Sequence, residues 1–161
     1  MRARHLVLLG LIAVANSGGF CGGPAPPSPD SCATPAERGT LDSLELGGGD
    51  ESQFAPISDG QKVHLIVGPQ GGTMLPIRLH VSGAGAVGCL PQRSVIDKDG
   101  TGNFPVASSS APLRTYAEPD GSATTRALYL IFDGGAQNGD TLLITVDAGG
   151  RHAQVSVIAT Y

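Results

Sequence analysis

The chain has no tryptophan, only 4 phenylalanines and 3 tyrosines, and just 3 cysteines in 161 residues. So few rings exclude an aromatic-dominated core, and Val, Leu, Ile and Ala must fill it instead. Basic residues are also short: 10 Lys/Arg stand against 14 Asp/Glu. That balance argues against nucleic acid and against a polybasic membrane contact, both of which need clustered cations. Long apolar runs are missing too. Leu6–Ala15 (LVLLGLIAVA) is apolar but too short to cross a bilayer as a helix.

What is there begins with that run. Arg2 and Arg4 precede it, and the small residues Ala15-Asn16-Ser17-Gly18-Gly19 follow. This is the layout of an export signal. Residues 1–20 are therefore expected to be removed, taking two cations with them, so that 8 Lys/Arg remain against 14 acids, a net −6. Residues 21–40 open on Cys21 and hold five prolines with no apolar periodicity, the composition of a semi-extended spacer. Residues 41–161 are left as one folded unit.

Export gives the odd cysteine count a meaning, because exported proteins oxidise their thiols in pairs. If Cys21 carries a lipid, Cys32 and Cys89 remain as one candidate disulfide. If it does not, one thiol is left over. Lipoprotein signals usually place a small residue just before the cysteine, where this chain has Phe20. The competing site is cleavage after Ser17, with Ala15 at minus three.

From Leu41 onward the apolar period is two. Val63, Leu65 and Val67 alternate, as do Leu75, Ile77, Leu79 and Val81, around the turn chemistry of Gly68-Pro69-Gln70-Gly71-Gly72. A hairpin folded about Gln70 sets Leu65 opposite Leu75, Val63 opposite Ile77 and His64 opposite Pro76. At the other end, Thr141–Asp147 and His152–Thr160 flank Gly149-Gly150, which suits a type I′ turn. That register pairs Val146 with Ala153, Ile144 with Val155 and Leu142 with Val157 on one face. Asp147/His152 and Thr145/Gln154 take the other. Weaker strands are predicted at Leu44–Leu46, Arg93–Asp97, Arg114–Ala117 and Ala127–Phe132. Seven or eight short strands separated by Asp-Gly, Gly-Gly and Asn-Gly turns point to an all-β, immunoglobulin-like antiparallel sandwich. Its expected core is Val63, Leu65, Leu75, Ile77, Leu79, Leu128, Leu130, Leu142, Ile144, Val146, Val155 and Val157.

Candidate chemistry is thin. Gly83-Ala84-Gly85-Ala86-Val87-Gly88 spells G-x-G-x-x-G, but Pro91 follows where a dinucleotide-binding helix should open. It reads as a strand connection, and no cofactor is expected. Asp97, Asp99 and Thr101 match the front of a calcium loop, yet position twelve is Ser108 where a bidentate Glu belongs. An Asp-Gly turn is the plainer reading. His64 and His80 lie too far apart along the predicted hairpin to share a metal. His152 and Ser156 share a face but sit four residues apart, about 13 Å in an extended strand, beyond the reach of a nucleophile and its base. Ser108-Ser109-Ser110 lacks the G-x-S-x-G elbow.

The stretch from Asp59-Gly60-Gln61 through Gly68-Pro69-Gln70-Gly71-Gly72 resembles a segment of uncharacterised predicted lipoproteins from soil-dwelling Gram-negative bacteria. The last strand pair, from Asp140-Thr141-Leu142 through its Gly-Gly turn, is similar to the end of an immunoglobulin-like sandwich. The resemblance implies an envelope-associated β-sandwich with no assigned activity. The expectation is thus a non-catalytic envelope module, lipid-anchored through Cys21 at the outer membrane or otherwise secreted. It would bind an envelope protein or a glycan through loop residues such as Pro69, Gln70 and Asp99, because loops at sandwich ends carry recognition. The alternative is a small secreted hydrolase or accessory enzyme whose residues converge only on folding.

Overall fold

The computed structural model describes residues 32, 40–48, 53–69, 71–98, 105–132 and 135–161. The signal (1–20), Cys21, Gln70, Asp99 and Thr101 lie outside them, as does the spacer apart from Cys32 and Thr40. The described residues contain strands and no helix. In chain order the strands are β1 (Ser43–Gly48), β2 (Ala55–Pro56), β3 (Gln61–His64), β4 (Ile66–Val67), β5 (Thr73–Ser82), β6 (Gly88–Leu90) and β7 (Gln92–Lys98). They continue as β8 (Pro105–Ser109), β9 (Leu113–Ala117), β10 (Ala123–Thr125), β11 (Leu128–Ile131), β12 (Thr141–Ala148) and β13 (Arg151–Thr160).

Two sheets pack face to face. The first runs β2-β1-β5-β10-β9-β6, with β4 and β11 pairing the front half of β5. The second runs β3-β13-β12-β7-β8. Antiparallel β1-β5-β10-β9 against β13-β12-β7 is the strand order of an immunoglobulin-like sandwich. Inward positions of both sheets merge into one aliphatic core, with Ile77, Leu79, Val81, Ile96, Leu142, Ile144, Val146 and Val157 fully buried. Every residue of the expected core lies in it except Leu128, which is half-buried and packs against it.

The last hairpin has the predicted register throughout, from Leu142↔Val157 to Asp147↔His152. Gly149 and Gly150 both have positive φ, 53° and 77°, the backbone a type I′ turn requires. Leu41 lies across this turn, wholly buried. Its N–H donates to Gly149 O (3.2 Å) and its carbonyl accepts from Arg151 Nε (2.7 Å).

The hairpin about Gln70 is corrected. The predicted register holds only at its tip, Ile66↔Met74 and Val67↔Thr73. At Leu65 the chain crosses between sheets, and β3 runs parallel to β13 with Val63 opposite Ala159 and His64 opposite Thr160. Ile77 and Pro76 pair instead with Leu128 and Tyr129 of β11. The crossing lets one short stretch cover an edge of each sheet, which leaves fewer open ladder groups than a single long hairpin would. Leu65 is buried at the crossover and its N–H donates to Thr160 O (2.7 Å). A second crossing occurs at Pro91, between β6 in the first sheet and β7 in the second. Proline has no N–H, so no ladder donor is stranded there. Thirteen strands stand among the described residues instead of the seven or eight expected, because the Leu65 crossing splits one into β3 and β4 and because β2, β6, β8 and β10 fall outside the predicted segments.

Cys32 and Cys89 form a disulfide with a Cα–Cα distance of 5.6 Å. Leu90 next to Cys89 is buried in the core, and Arg114 opposite Cys89 is exposed. Alternation therefore puts the disulfide on the outer face of the first sheet.

Candidate functional site

Of the recognition-loop residues singled out from sequence, Pro69 alone is described, and it lies at the end of the sandwich that also holds Lys98. Pro69 is exposed at the turn before β5. That turn is closed by Gly68 N–H donating to Gly72 O (2.8 Å) and Gly71 N–H donating to Gly68 O (2.9 Å). Tyr161 ties it to the neighbouring loop: its hydroxyl lies 3.3 Å from Thr73 Oγ1 and donates to Ala136 O at 2.5 Å. At the same end Lys98, which leads into Asp99, pairs with Asp140 (2.9 Å). The Gln137 N–H, and after it the Lys98 ammonium, hold the Asp140 carboxyl below the usual carboxylate range. The result is a polar rim of loops on a firm base.

Asp97, the first member of the calcium pattern, is a β7 residue opposite Leu143. It is buried, and its Oδ1 has no hydrogen-bond partner. Among the described residues no three His, Cys, Asp or Glu side chains come together as metal ligands. The glycine-rich stretch 83–88 is the connection from β5 to β6. Ala86 N–H donates to Gly83 O (3.0 Å), and the Thr115 hydroxyl donates to the buried Ala86 carbonyl (2.5 Å). His152 Nδ1 meets Asp147 Oδ1 at 2.8 Å as an exposed cross-strand pair. Ser156 pairs with Leu143 across the ladder, and its backbone N–H donates to Asp59 Oδ1 (2.8 Å).

The residues that sequence reasoning missed surround His80. Strands β1, β5 and β10 lie side by side, with Glu45 and Thr124 both opposite His80. His80 Nδ1 lies 3.1 Å from Glu45 Oε2, and Nε2 lies 2.8 Å from Ser122 Oγ. This is the connectivity of an acid–histidine–serine array. Phe54 covers the imidazole, with ring centroids 5.2 Å apart. His80, Ser122 and Phe54, with Glu118, Asp120 and Thr124, line a shallow recess of about 350 Å³.

Proton bookkeeping separates this array from a nucleophilic one. The Ser122 hydroxyl donates to Asp120 Oδ1 (2.5 Å), and the Ser122 N–H donates to the same oxygen (2.9 Å). Those two bonds, hydroxyl first, lower the Asp120 pKa, with His80 adding a smaller attraction. The single Ser122 hydrogen is thereby spent, and His80 Nε2–H must donate to Ser122 rather than accept from it. A base has to take the nucleophile's proton, and here the histidine supplies one. Ser122 is also buried. The array is a cross-strand clasp lying in an acidic recess.

Its sequence signal was partial. Alternation in β5 turns His80 outward, and Asp120-Gly121-Ser122 is an Asx-turn pattern. That the two meet depends on β5 and β10 being neighbours, which no local pattern records. No protein-family model matches this chain, and no curated protein matches it significantly.

Proposed function

We propose that the protein is a non-catalytic module of the bacterial cell envelope, exported, anchored by a lipid on Cys21, and presenting a rigid sandwich for binding. The observation that carries this reading is the Cys32–Cys89 disulfide. It uses two of the 3 cysteines and fits an oxidising compartment. Cys21 is then the one thiol outside the bridge, and it directly follows the export signal. Recognition of an envelope protein or glycan is assigned to the loop residues Pro69, Gln70 and Asp99, with support from the polar contacts that tie down the described end around Pro69 and Lys98.

Mass spectrometry of the exported protein tests the anchor. The expected N-terminus is a lipid-modified Cys21, and an unmodified chain starting at Gly18 overturns it. Affinity capture from envelope extracts tests the loops. A Gln70→Ala, Asp99→Ala double variant is expected to lose partners that the parent retains, with its melting temperature unchanged. An identical partner set removes the loop assignment.

The second reading, a small hydrolase, draws on the Glu45–His80–Ser122 connectivity alone. It requires hydrolytic turnover that Ser122→Ala abolishes. The clasp reading expects no turnover in either protein.

A further inference from the structure

Resting on the lipid-anchored reading, we infer that the outer face of the first sheet docks on the bilayer surface, with Tyr129 and Ile131 at its centre. Three observations converge on that face.

The first is an exposed apolar area. Tyr129 and Ile131 of β11 and Ile66 of β4 are 48%, 58% and 38% exposed. The ladders Ile66↔Met74↔Ile131 and Pro76↔Tyr129 place them, with half-buried Met74 and Pro76, as one surface across three strands. Contiguous exposed apolar area marks an interaction surface. A tyrosine with an apolar body and a polar tip suits a membrane–water boundary.

The second is the point of attachment. The disulfide lies on this same face. By register Cys89 sits two strand spacings and two residues from Tyr129, about 12 Å along the sheet. Arg114 opposite Cys89 and Arg126 just before β11 are both exposed, close to the patch and able to meet anionic headgroups. The acidic recess of Glu118 and Asp120, and Glu45 beside His80, lie toward the other end of the sheet.

The third is length. Cys32 lies eleven residue steps beyond Cys21, a reach of roughly 34 Å in polyproline geometry. Cys89 lies on β6, the edge strand of the first sheet, so the bridge starts this short span on the patch's own face and keeps the anchor near it. Without the disulfide the tether would extend from Cys21 to Leu41, roughly 62 Å, with no attachment on that face. The bridge therefore favours the face that carries Tyr129 and Ile131.

The test uses the chain's lack of tryptophan. Tyr129→Trp, Ile131→Trp and, on the outer face of the second sheet, Gln154→Trp are made in the full chain. Each protein is anchored on phosphatidylethanolamine–phosphatidylglycerol vesicles carrying brominated acyl chains. Tyr129→Trp and Ile131→Trp are expected to lose emission roughly twofold, since a docked apolar face lies about 5–10 Å into the headgroup–acyl boundary. Gln154→Trp should keep its emission. Equal quenching of both faces, or none at Tyr129 and Ile131, overturns the docking. A parallel arm couples the Cys21 thiol to a maleimide lipid. If natural Cys21 proves unmodified, the anchor reading fails, while this arm still decides which face meets the bilayer.

Discussion

Gly149 shows how much one residue can hold. A Cβ built there would come within 2.5 Å of Leu41 Cγ, and φ is +53°; at Gly150 φ is +77° and nothing lies within 4 Å. Gly150→Ala should therefore cost only the left-handed backbone penalty, about 1–2 kcal/mol. Gly149→Ala adds displacement of the buried Leu41 and should cost more, about 2–4 kcal/mol in all. Urea melts of the two variants check the order, and equal costs would mean that Leu41 does not seat on the turn. Asp140 makes the pH case. Gln137 N–H and Lys98 lower its folded pKa. Its contribution is therefore present above the unfolded aspartate value of about 3.9 and lost as pH falls through the folded one. Asp140→Asn should flatten the acid limb of melting temperature against pH below about pH 5. An unchanged acid limb would show that the rim pair adds nothing.

At the scale of elements the crossover at Leu65 and the Cys32–Cys89 bridge matter most. Leu65→Ala removes a buried side chain where the chain changes sheets, and should cost about 2–5 kcal/mol. Ile66→Ala, at the exposed neighbour, should stay within about 0.5 kcal/mol. Chemical denaturation separates them. The bridge spans 57 residues of sequence, and closing such a loop is worth about 4 kcal/mol in the chain-entropy model. A Cys32→Ser, Cys89→Ser protein should be less stable by that order, with its sandwich intact by circular dichroism. The strand ladders of both sheets do not include Cys32, so loss of the fold would mean that the bridge carries more than chain entropy.

For the whole molecule, the sandwich has a polar loop rim at one end and, on the outer face of one sheet, an apolar area near the Cys32–Cys89 bridge. The proposed binding and docking surfaces adjoin at the Pro69 turn, whose flanking strands carry Ile66 and Met74, so variants are needed to separate the two functions. The double loop variant should leave bilayer docking unchanged, and a Tyr129→Ser, Ile131→Ser variant should weaken vesicle association while keeping the captured partners. Loss of both properties in either variant would merge the two surfaces into one.

Local chemistry settled much of this. Period-two alternation assigned inward and outward faces, and Gly149-Gly150 fixed the last register, because a two-residue turn leaves no freedom for slippage. The cysteine count, with an export reading of the N-terminus, offered the pairing that the structure contains as one candidate. Tertiary structure alone decided which strands are neighbours. Alternation carries no information about lateral order, so it could not place β3 beside β13 or β1 and β10 beside β5. The Leu65 crossover and the His80 clasp both follow from that order. So does the sharing of one face by Cys89, Tyr129 and Ile131, because a sheet brings together residues that are distant in sequence through backbone ladders any side chain can join.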